Sequence, residues 1–136
     1  MNALKAADVM TRDVFTLQET ATVREAATAL IERRISGAPV VDAAGKLSGL
    51  LSEEDLIGVF YEGVSDLDRR PIGTCTVLGS SLVTRKVVAV RPETALHDIA
   101  KKLLNLKIKR VPVVDAEHRV LGVVSRKDIL KALVKS

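Results

Sequence analysis

Aromatic side chains are nearly missing from this 136-residue sequence: one tyrosine, two phenylalanines and no tryptophan, 2% in all. That removes the stacking platforms on which single-stranded nucleic acids usually rest. It also leaves valine, isoleucine, leucine and alanine to fill the core implied by a hydrophobic content of 47%. The single cysteine, Cys75, excludes an internal disulfide and suits a reducing compartment. No apolar run approaches the roughly 18 residues of a membrane helix. The opening Met1-Asn2-Ala3-Leu4-Lys5 lacks the apolar core of a signal peptide. The expectation is a soluble cytoplasmic protein with no membrane partner.

Chemistry-bearing patterns are also few. There is no glycine-rich phosphate loop and no nucleophile elbow. His97 and His118 have no cysteine, histidine or acidic neighbours at metal-ligand spacing, and both read as surface residues. Cys75 has no histidine or cation near it in sequence and reads as a bystander thiol. The carboxylates of Glu53-Glu54-Asp55 at a helix start do not all face one point, as a cation site requires. No nucleophile–base pair can be assembled, so an enzyme is not indicated, nor is a required cofactor or metal.

Charge is unevenly spread. The net charge is +4, but residues 1–70 hold 8 basic against 12 acidic side chains and residues 71–136 hold 13 against 5. The second half carries a positive potential that favours phosphate-bearing ligands; a solvated basic face is the plainer reading of the same counts.

What the chain does contain is itself, twice. A shift of about 73 positions carries Pro39-Val40-Val41-Asp42-Ala43 onto Pro112-Val113-Val114-Asp115-Ala116 without a gap. The same shift carries Gly49, Ser52 and Asp55 onto Gly122, Ser125 and Asp128, and Thr11-Arg12 onto Thr84-Arg85. A repeat of roughly 50 to 60 residues is marginal alone, so the two copies should share a core or associate further. The division is residues 1–61 for the first copy with a lead-in helix, 62–75 for a connector, and 76–136 for the second copy with its own lead-in.

Each copy reads β-α-β-β-α, an α+β fold. In the first, residues 5–10 form the lead-in helix and 14–17 a strand. Thr20 or Thr22 caps a helix whose inward stripe is Val23, Ala26, Ala27, Leu30 and Ile31. Residues 38–41 and 46–51 form a hairpin around the turn Asp42-Ala43-Ala44-Gly45, and Ser52 opens a helix over 53–60. In the second copy the strand is 87–90. The first helix is 96–106, with Leu96, Ile99, Ala100, Leu103 and Leu104 inward. The hairpin is 111–114 with 120–124, and the last helix 126–134. Residues 76–83 are assigned to the second lead-in helix, against the helix-breaking run Gly79-Ser80-Ser81.

Both hairpins run into Gly-h-h-Ser-x-x-Asp, with h apolar: Gly49 to Asp55 and Gly122 to Asp128. The serine closes a strand and opens a helix, whose first turn presents free N–H groups and the positive dipole end. A carboxylate there stays ionised, and it can accept a hydrogen bond from each hydroxyl of a diol, as acidic residues do with ribose in dinucleotide folds. The plainer reading is a capping box, and repetition alone does not separate the two.

Ile35-Ser36-Gly37-Ala38-Pro39-Val40-Val41-Asp42 and Ile108-Lys109-Arg110-Val111-Pro112-Val113-Val114-Asp115, each followed by Gly-h-h-Ser-x-x-Asp, resemble the cystathionine β-synthase (CBS) domain. Val9-Met10-Thr11 is similar to that family's usual lead-in, and Leu82-Val83-Thr84 is a milder match. The resemblance runs from about Ala7 to Leu133 and suggests a stand-alone CBS pair without a catalytic or transport domain. It implies two repeats packed through their sheets with pseudo-two-fold symmetry, and two clefts for adenosine-containing ligands such as AMP, ADP, ATP or S-adenosylmethionine. The aspartate would hold the ribose, and the segment around each proline, Ala38 and Val111 included, would line the base pocket. One cleft would use Ser125 and Asp128 with Thr16, Ile35 and Ser36, while Lys109 and Arg110 meet phosphates. The other would use Ser52 and Asp55 with Val90, Ile108 and Lys109.

The two sites differ in charge. Ser125-Arg126-Lys127-Asp128 is basic and Ser52-Glu53-Glu54-Asp55 acidic, and like charges a few Å apart cost of order 1 kcal/mol even when screened. The Asp128 site is therefore expected to be the better nucleotide site, with the Asp55 site empty or taking an uncharged or cationic ligand such as a sulfonium; Arg126 and Lys127 pointing into solvent is an equal alternative to phosphate contact. The implied protein is a regulatory module, a homodimer, that signals ligand binding to an unidentified partner through differential affinity for two conformations. Two other readings stand beside it: a ligand-free interaction module whose motifs are only helix caps, and, least favoured, nucleic-acid binding through the basic half.

Overall fold

The computed structural model describes residues 4–136, so the first three residues of the first-copy boundary lie outside it. Residues 4–14 with 88–136 form one compact unit, and residues 15–87 form another. The contacts therefore divide the chain differently from the repeat, and the lead-ins are where the two divisions part.

In the unit of residues 15–87, β1 (Leu17–Gln18) runs parallel to β2 (Gly37–Val41), and β2 pairs antiparallel with β3 (Leu47–Ser52). Helix α2 (Val23–Arg33) is capped by Thr22, not Thr20. The Thr22 hydroxyl accepts from Glu25 N–H at 3.1 Å while Thr22 N–H donates to the Glu25 carboxylate at 2.8 Å. Strand β1 is shorter and later than the strand over 14–17. Helix α3 (Glu53–Glu62) ends at Gly63, whose φ of +72° closes it in the left-handed region. The connector is not a loose tether. Val23 N–H donates to Arg70 C=O and Ile72 N–H to Ala21 C=O, and Ile72 is fully buried.

The expected helix over 76–83 is absent. Thr76–Val77 (β4) and Ser80–Ser81 (β5) form a hairpin around Leu78 and Gly79, both at positive φ (54° and 79°). A two-residue turn of that hand matches the twist of antiparallel strands, and Gly79 supplies it.

The other unit carries the lead-in helix, α1 (Ala6–Val9), with α4 (Leu96–Leu106), β6 (Arg110–Val114), β7 (Val120–Ser125) and α5 (Arg126–Val134). The strand over 87–90 reduces to one parallel bridge, Val90 to Val113, at the position where β1 meets Val40 in the first copy. Ala6 and Met10 of the lead-in are buried with Ile99, Val111, Val113 and Val124. In the same way Leu82 and Val83 are buried with Leu17, Val40 and Leu51.

The helix stripes are narrower than read. In α2 the buried positions are Val23, Ala26 and Leu30, and in α4 they are Leu96, Ile99 and Leu103. Ala27 and Ala100 are half-buried, but Ile31 is 76% exposed and Leu104 78%. A helix laid on a two- or three-stranded sheet buries one row at spacings of three and four and leaves the flanking row in water.

Candidate functional site

The site candidates gather at the junction where each hairpin hands over to its last helix. In the first copy Gly37 pairs with Ser52, and Glu53 N–H donates to Ser36 C=O at 2.9 Å. In the second, Arg110 pairs with Ser125, and Arg126 N–H donates to Lys109 C=O at 3.1 Å. Each pre-proline segment thus lies against the Ser-x-x-Asp turn of its own copy. Sequence spacing gave no sign of this, because strand pairing brings together residues about 16 apart.

The pre-proline segments are held in place from behind. Arg34 and Lys107 end α2 and α4 at φ 55°, and the next residues, Ile35 and Ile108, donate back to Leu30 and Leu103 carbonyls at 3.1 and 3.3 Å. This left-handed closure reverses the chain into β2 and β6. Ile35, Ser36 and Ile108 are half-buried, and so is Thr16 just before β1. Ala38, Val90 and Val111 are core side chains, 2%, 4% and 0% exposed.

Both Ser-x-x-Asp turns are capping boxes. Asp55 Oδ2 accepts from Ser52 N–H at 2.8 Å and from the Ser52 hydroxyl at 2.9 Å. Asp128 Oδ2 accepts from Ser125 N–H at 2.8 Å and the Ser125 hydroxyl at 3.1 Å. In each, the serine oxygen faces the aspartate N–H, at 3.3 and 3.4 Å. One carboxylate oxygen therefore does the capping. Oδ1 has no hydrogen-bond partner among the described residues in either copy. Capping and ligand acceptance are not exclusive: the cap orients the carboxylate, and the second oxygen remains an acceptor for a hydroxyl.

The surroundings separate the two junctions. Asp128 is 9% exposed and opens onto a groove of 570 Å³ whose lining includes Leu4, Asp8, Val9, Lys131 and Lys135. Lys109 and the flanking Arg126 and Lys127 are exposed, and Arg110 is half-buried beside them. The first junction has Ser36 and Gly37 in place of Lys109 and Arg110, and exposed Glu53 and Glu54 in place of Arg126 and Lys127. The second junction is thus flanked by basic side chains and the first by carboxylates.

Glu19, Asp115 and Cys75 titrate away from their ordinary values for structural reasons. The Ser48 hydroxyl and the Arg85 guanidinium, 3.2 Å away, hold the Glu19 carboxyl below its usual range. Backbone N–H groups of Arg119 and Glu117, both at 2.9 Å, do the same for Asp115 in its hairpin turn. Burial pushes the Cys75 thiol up. Among the described residues no cluster of histidine, cysteine or carboxylate could hold a metal, and no helix is long and apolar enough to cross a membrane.

Comparison with known proteins fits this geometry. The CBS domain family matches residues 6–62 and again 79–135. MJ1426 of Methanocaldococcus jannaschii is 31% identical over 127 residues, covering 76% of each chain. The chloroplastic CBSX1 of Arabidopsis thaliana is 30% identical; the match covers 90% of this chain but 60% of that protein. Among solved structures, CBSX2 in complex with AMP superimposes with a TM-score of 0.79 at 31% identity, over 96% of each chain. The CBS domain pair of MJ0100, in complex with 5′-methylthioadenosine and S-adenosyl-L-methionine, gives 0.78 at 25%, over 96% of this chain and 99% of that one. With two matches to one family, two capped Ser-x-x-Asp junctions and the hairpins that lead into them, the chain belongs to the CBS domain family as a tandem pair.

Proposed function

We propose that this pair is a regulatory module that binds an adenosine-containing ligand, AMP, ADP, ATP or S-adenosylmethionine, and signals its occupancy to a protein partner. The observation that carries the reading is the second junction. Asp128 Oδ1 is left over from the cap, as an acceptor for ribose hydroxyls. Lys109, Arg110, Arg126 and Lys127 belong to the same backbone junction and would supply charge for phosphate. The complexes of CBSX2 with AMP and of the MJ0100 pair with two adenosine compounds support the ligand class. Asp55 offers the same free oxygen among Glu53 and Glu54, which suits an uncharged or cationic ligand such as a sulfonium.

The module does no chemistry of its own in this reading, works in the cytoplasm and associates as a homodimer. Ligand energy enters only as the difference in affinity between two conformations. The test is a thermal-shift panel with AMP, ADP, ATP, S-adenosylmethionine and NAD. A ligand at about 100 times its dissociation constant adds roughly 2.7 kcal/mol and raises the melting point by several degrees. No shift with any of the five overturns the reading in favour of a ligand-free interaction module.

A further inference from the structure

A groove of 630 Å³ lies between residues 89–91 and one flank of α4. Asp98, Lys101, Lys102 and Asn105 recur at three- and four-residue steps along that flank, and Arg91 and Thr94 border the groove ahead of the helix. Of the residues considered for nucleotide binding only Val90 lies along it, and Val90 is buried.

The strand beside the groove is cut short by two prolines. Val90 N–H donates to Pro112 C=O at 3.0 Å, and Val90 C=O accepts from Val114 N–H at 2.8 Å. Pro112 has no N–H to offer the Val88 carbonyl. Pro92 has none for the Val114 carbonyl, where its equivalent Glu19 donates to Val41 C=O at 3.1 Å in the first copy. Backbone groups of successive residues in an extended chain point to opposite sides, so Ala89 turns its N–H and C=O away from β6. There they have no partner among the described residues.

Charge indicates what fits this edge. The groove is bordered by three cations, Arg91, Lys101 and Lys102, against one carboxylate, Asp98. Asp98 lies 3.7 Å from His97, and neither lysine has an ion-pair partner among the described residues. At the same places the first copy has Gln18, Thr28 and Ala29, with Glu25 and Glu32 on the helix, and its Arg33 is stacked 4.0 Å over the Phe15 ring. The basic groove is thus a property of the second copy and not of the repeat. Basic side chains beside an open edge keep identical edges apart and attract an acidic strand.

We propose that this groove takes an extended acidic segment of the protein partner. The segment's backbone pairs with Ala89, and its carboxylates meet Arg91, Lys101 and Lys102. This rests on the protein partner of the reading above and adds the surface and the chemistry that fits it.

Fluorescence anisotropy of a labelled octapeptide alternating glutamate and valine, titrated with the full chain at low salt and without nucleotide, tests it. Wild type should bind this probe and not the octapeptide alternating lysine and valine. Lys101→Thr with Lys102→Ala, the residues that the first copy holds at these places, should weaken binding at least about tenfold. Lys46→Ala, a loss of charge in the hairpin turn of the first copy, should change it less than about twofold. A melting curve of each variant separates loss of docking from loss of fold, and Arg91→Gln carries the test if the double variant does not fold. Equal binding by the double variant and wild type overturns the site. Equal binding of the two octapeptides overturns the acidic partner. No binding of the glutamate probe up to roughly 1 mM overturns the proposal, and calorimetric binding of tripolyphosphate in its place would assign the groove to a small anion. Because nucleotide is absent throughout, each of these failures leaves the adenosine-ligand reading standing.

Discussion

Thr11 and Val123 exchange both backbone hydrogen bonds: Thr11 N–H donates to Val123 C=O at 2.9 Å, and Val123 N–H donates back at 3.1 Å. Their equivalents, Thr84 and Leu50, do the same at 2.9 and 3.0 Å. Each lead-in is therefore pinned to the last strand of the other copy, 112 residues away in one case and 34 in the other. The glycine of the Gly-h-h-Ser-x-x-Asp run is explained by this crossing. A Cβ on Gly122 would lie 2.6 Å from Thr11 O, and one on Gly49 would lie 2.7 Å from Thr84 O and 2.3 Å from Val83 Cγ1.

Gly122→Ala and Gly49→Ala should each destabilise by about 2 kcal/mol or more, because backbone must shift to admit the methyl. Gly58→Ala is the control. It lies inside α3 with nothing closer than 3.4 Å, and should be neutral or stabilising by up to about 1 kcal/mol through helix propensity. Urea denaturation of the three variants decides it. Equal effects at Gly122 and Gly58 would dismiss the crossing as the reason for the glycine.

The hairpin turns offer a test within one fold. Asp42 and Asp115 each accept two backbone N–H groups across the turn, and the left-handed place is filled by Gly45 (φ 81°) in one copy and His118 (φ 67°) in the other. A histidine there is strained where glycine is not. His118→Gly should stabilise by about 1 kcal/mol, read as a higher urea midpoint with an unchanged slope. A lower midpoint would contradict it.

Glu19 sets a pH dependence. Its folded value lies below the ordinary 4.5, so the folded form binds its proton less readily than the unfolded form does. The stabilisation is fully present above 4.5 and is lost as pH falls through the lowered folded value. Arg85 is the partner that can be removed, since it also donates to the carbonyls of Gly73 at 2.7 Å and Ser48 at 3.1 Å. Arg85→Ala should lower the melting point at neutral pH and flatten its fall on acidification. A parallel displacement of the whole pH curve would place the effect in the carbonyl contacts instead.

Cys75 is 5% exposed, with burial raising its pKa. A thiol reagent at neutral pH should label it only as fast as the unit of residues 15–87 opens, and promptly in denaturant. Immediate labelling of the native protein would contradict the burial of the thiol.

Local chemistry was the legible part of this fold. The two capping boxes, the Asx-type turns at Asp42 and Asp115, and the doubled hairpins are short-range patterns that a repeat displays twice. What escaped was long-range or depended on context. The Thr11–Val123 and Leu50–Thr84 pairs have no local signature, so each lead-in was assigned to the copy that follows it. Residues 76–83 stand where the repeat places a second lead-in helix, but Leu78 and Gly79 take the left-handed conformations of a hairpin. Ile31 and Leu104 fit the helical period yet face outward, because period alone does not fix how wide a buried stripe is. At the site, aspartate, serine and the cations were all visible in sequence. That Lys109 and Ser36 lie against the serine turns of their own copies became visible only through strand register.

The measurement that bears most directly on the central claim is calorimetric titration of AMP into wild type, Asp128→Asn and Asp55→Asn. Asparagine retains an oxygen that can accept the Ser125 or Ser52 N–H, so each variant should lose at most the roughly 0.5–2 kcal/mol of a weakened cap. The account predicts that Asp128→Asn lowers AMP affinity at least about tenfold, the loss of a charge-assisted bond to a ribose hydroxyl, while Asp55→Asn leaves it nearly unchanged. AMP binding to Asp128→Asn as tightly as to wild type would leave Asp128 a helix cap and nothing more.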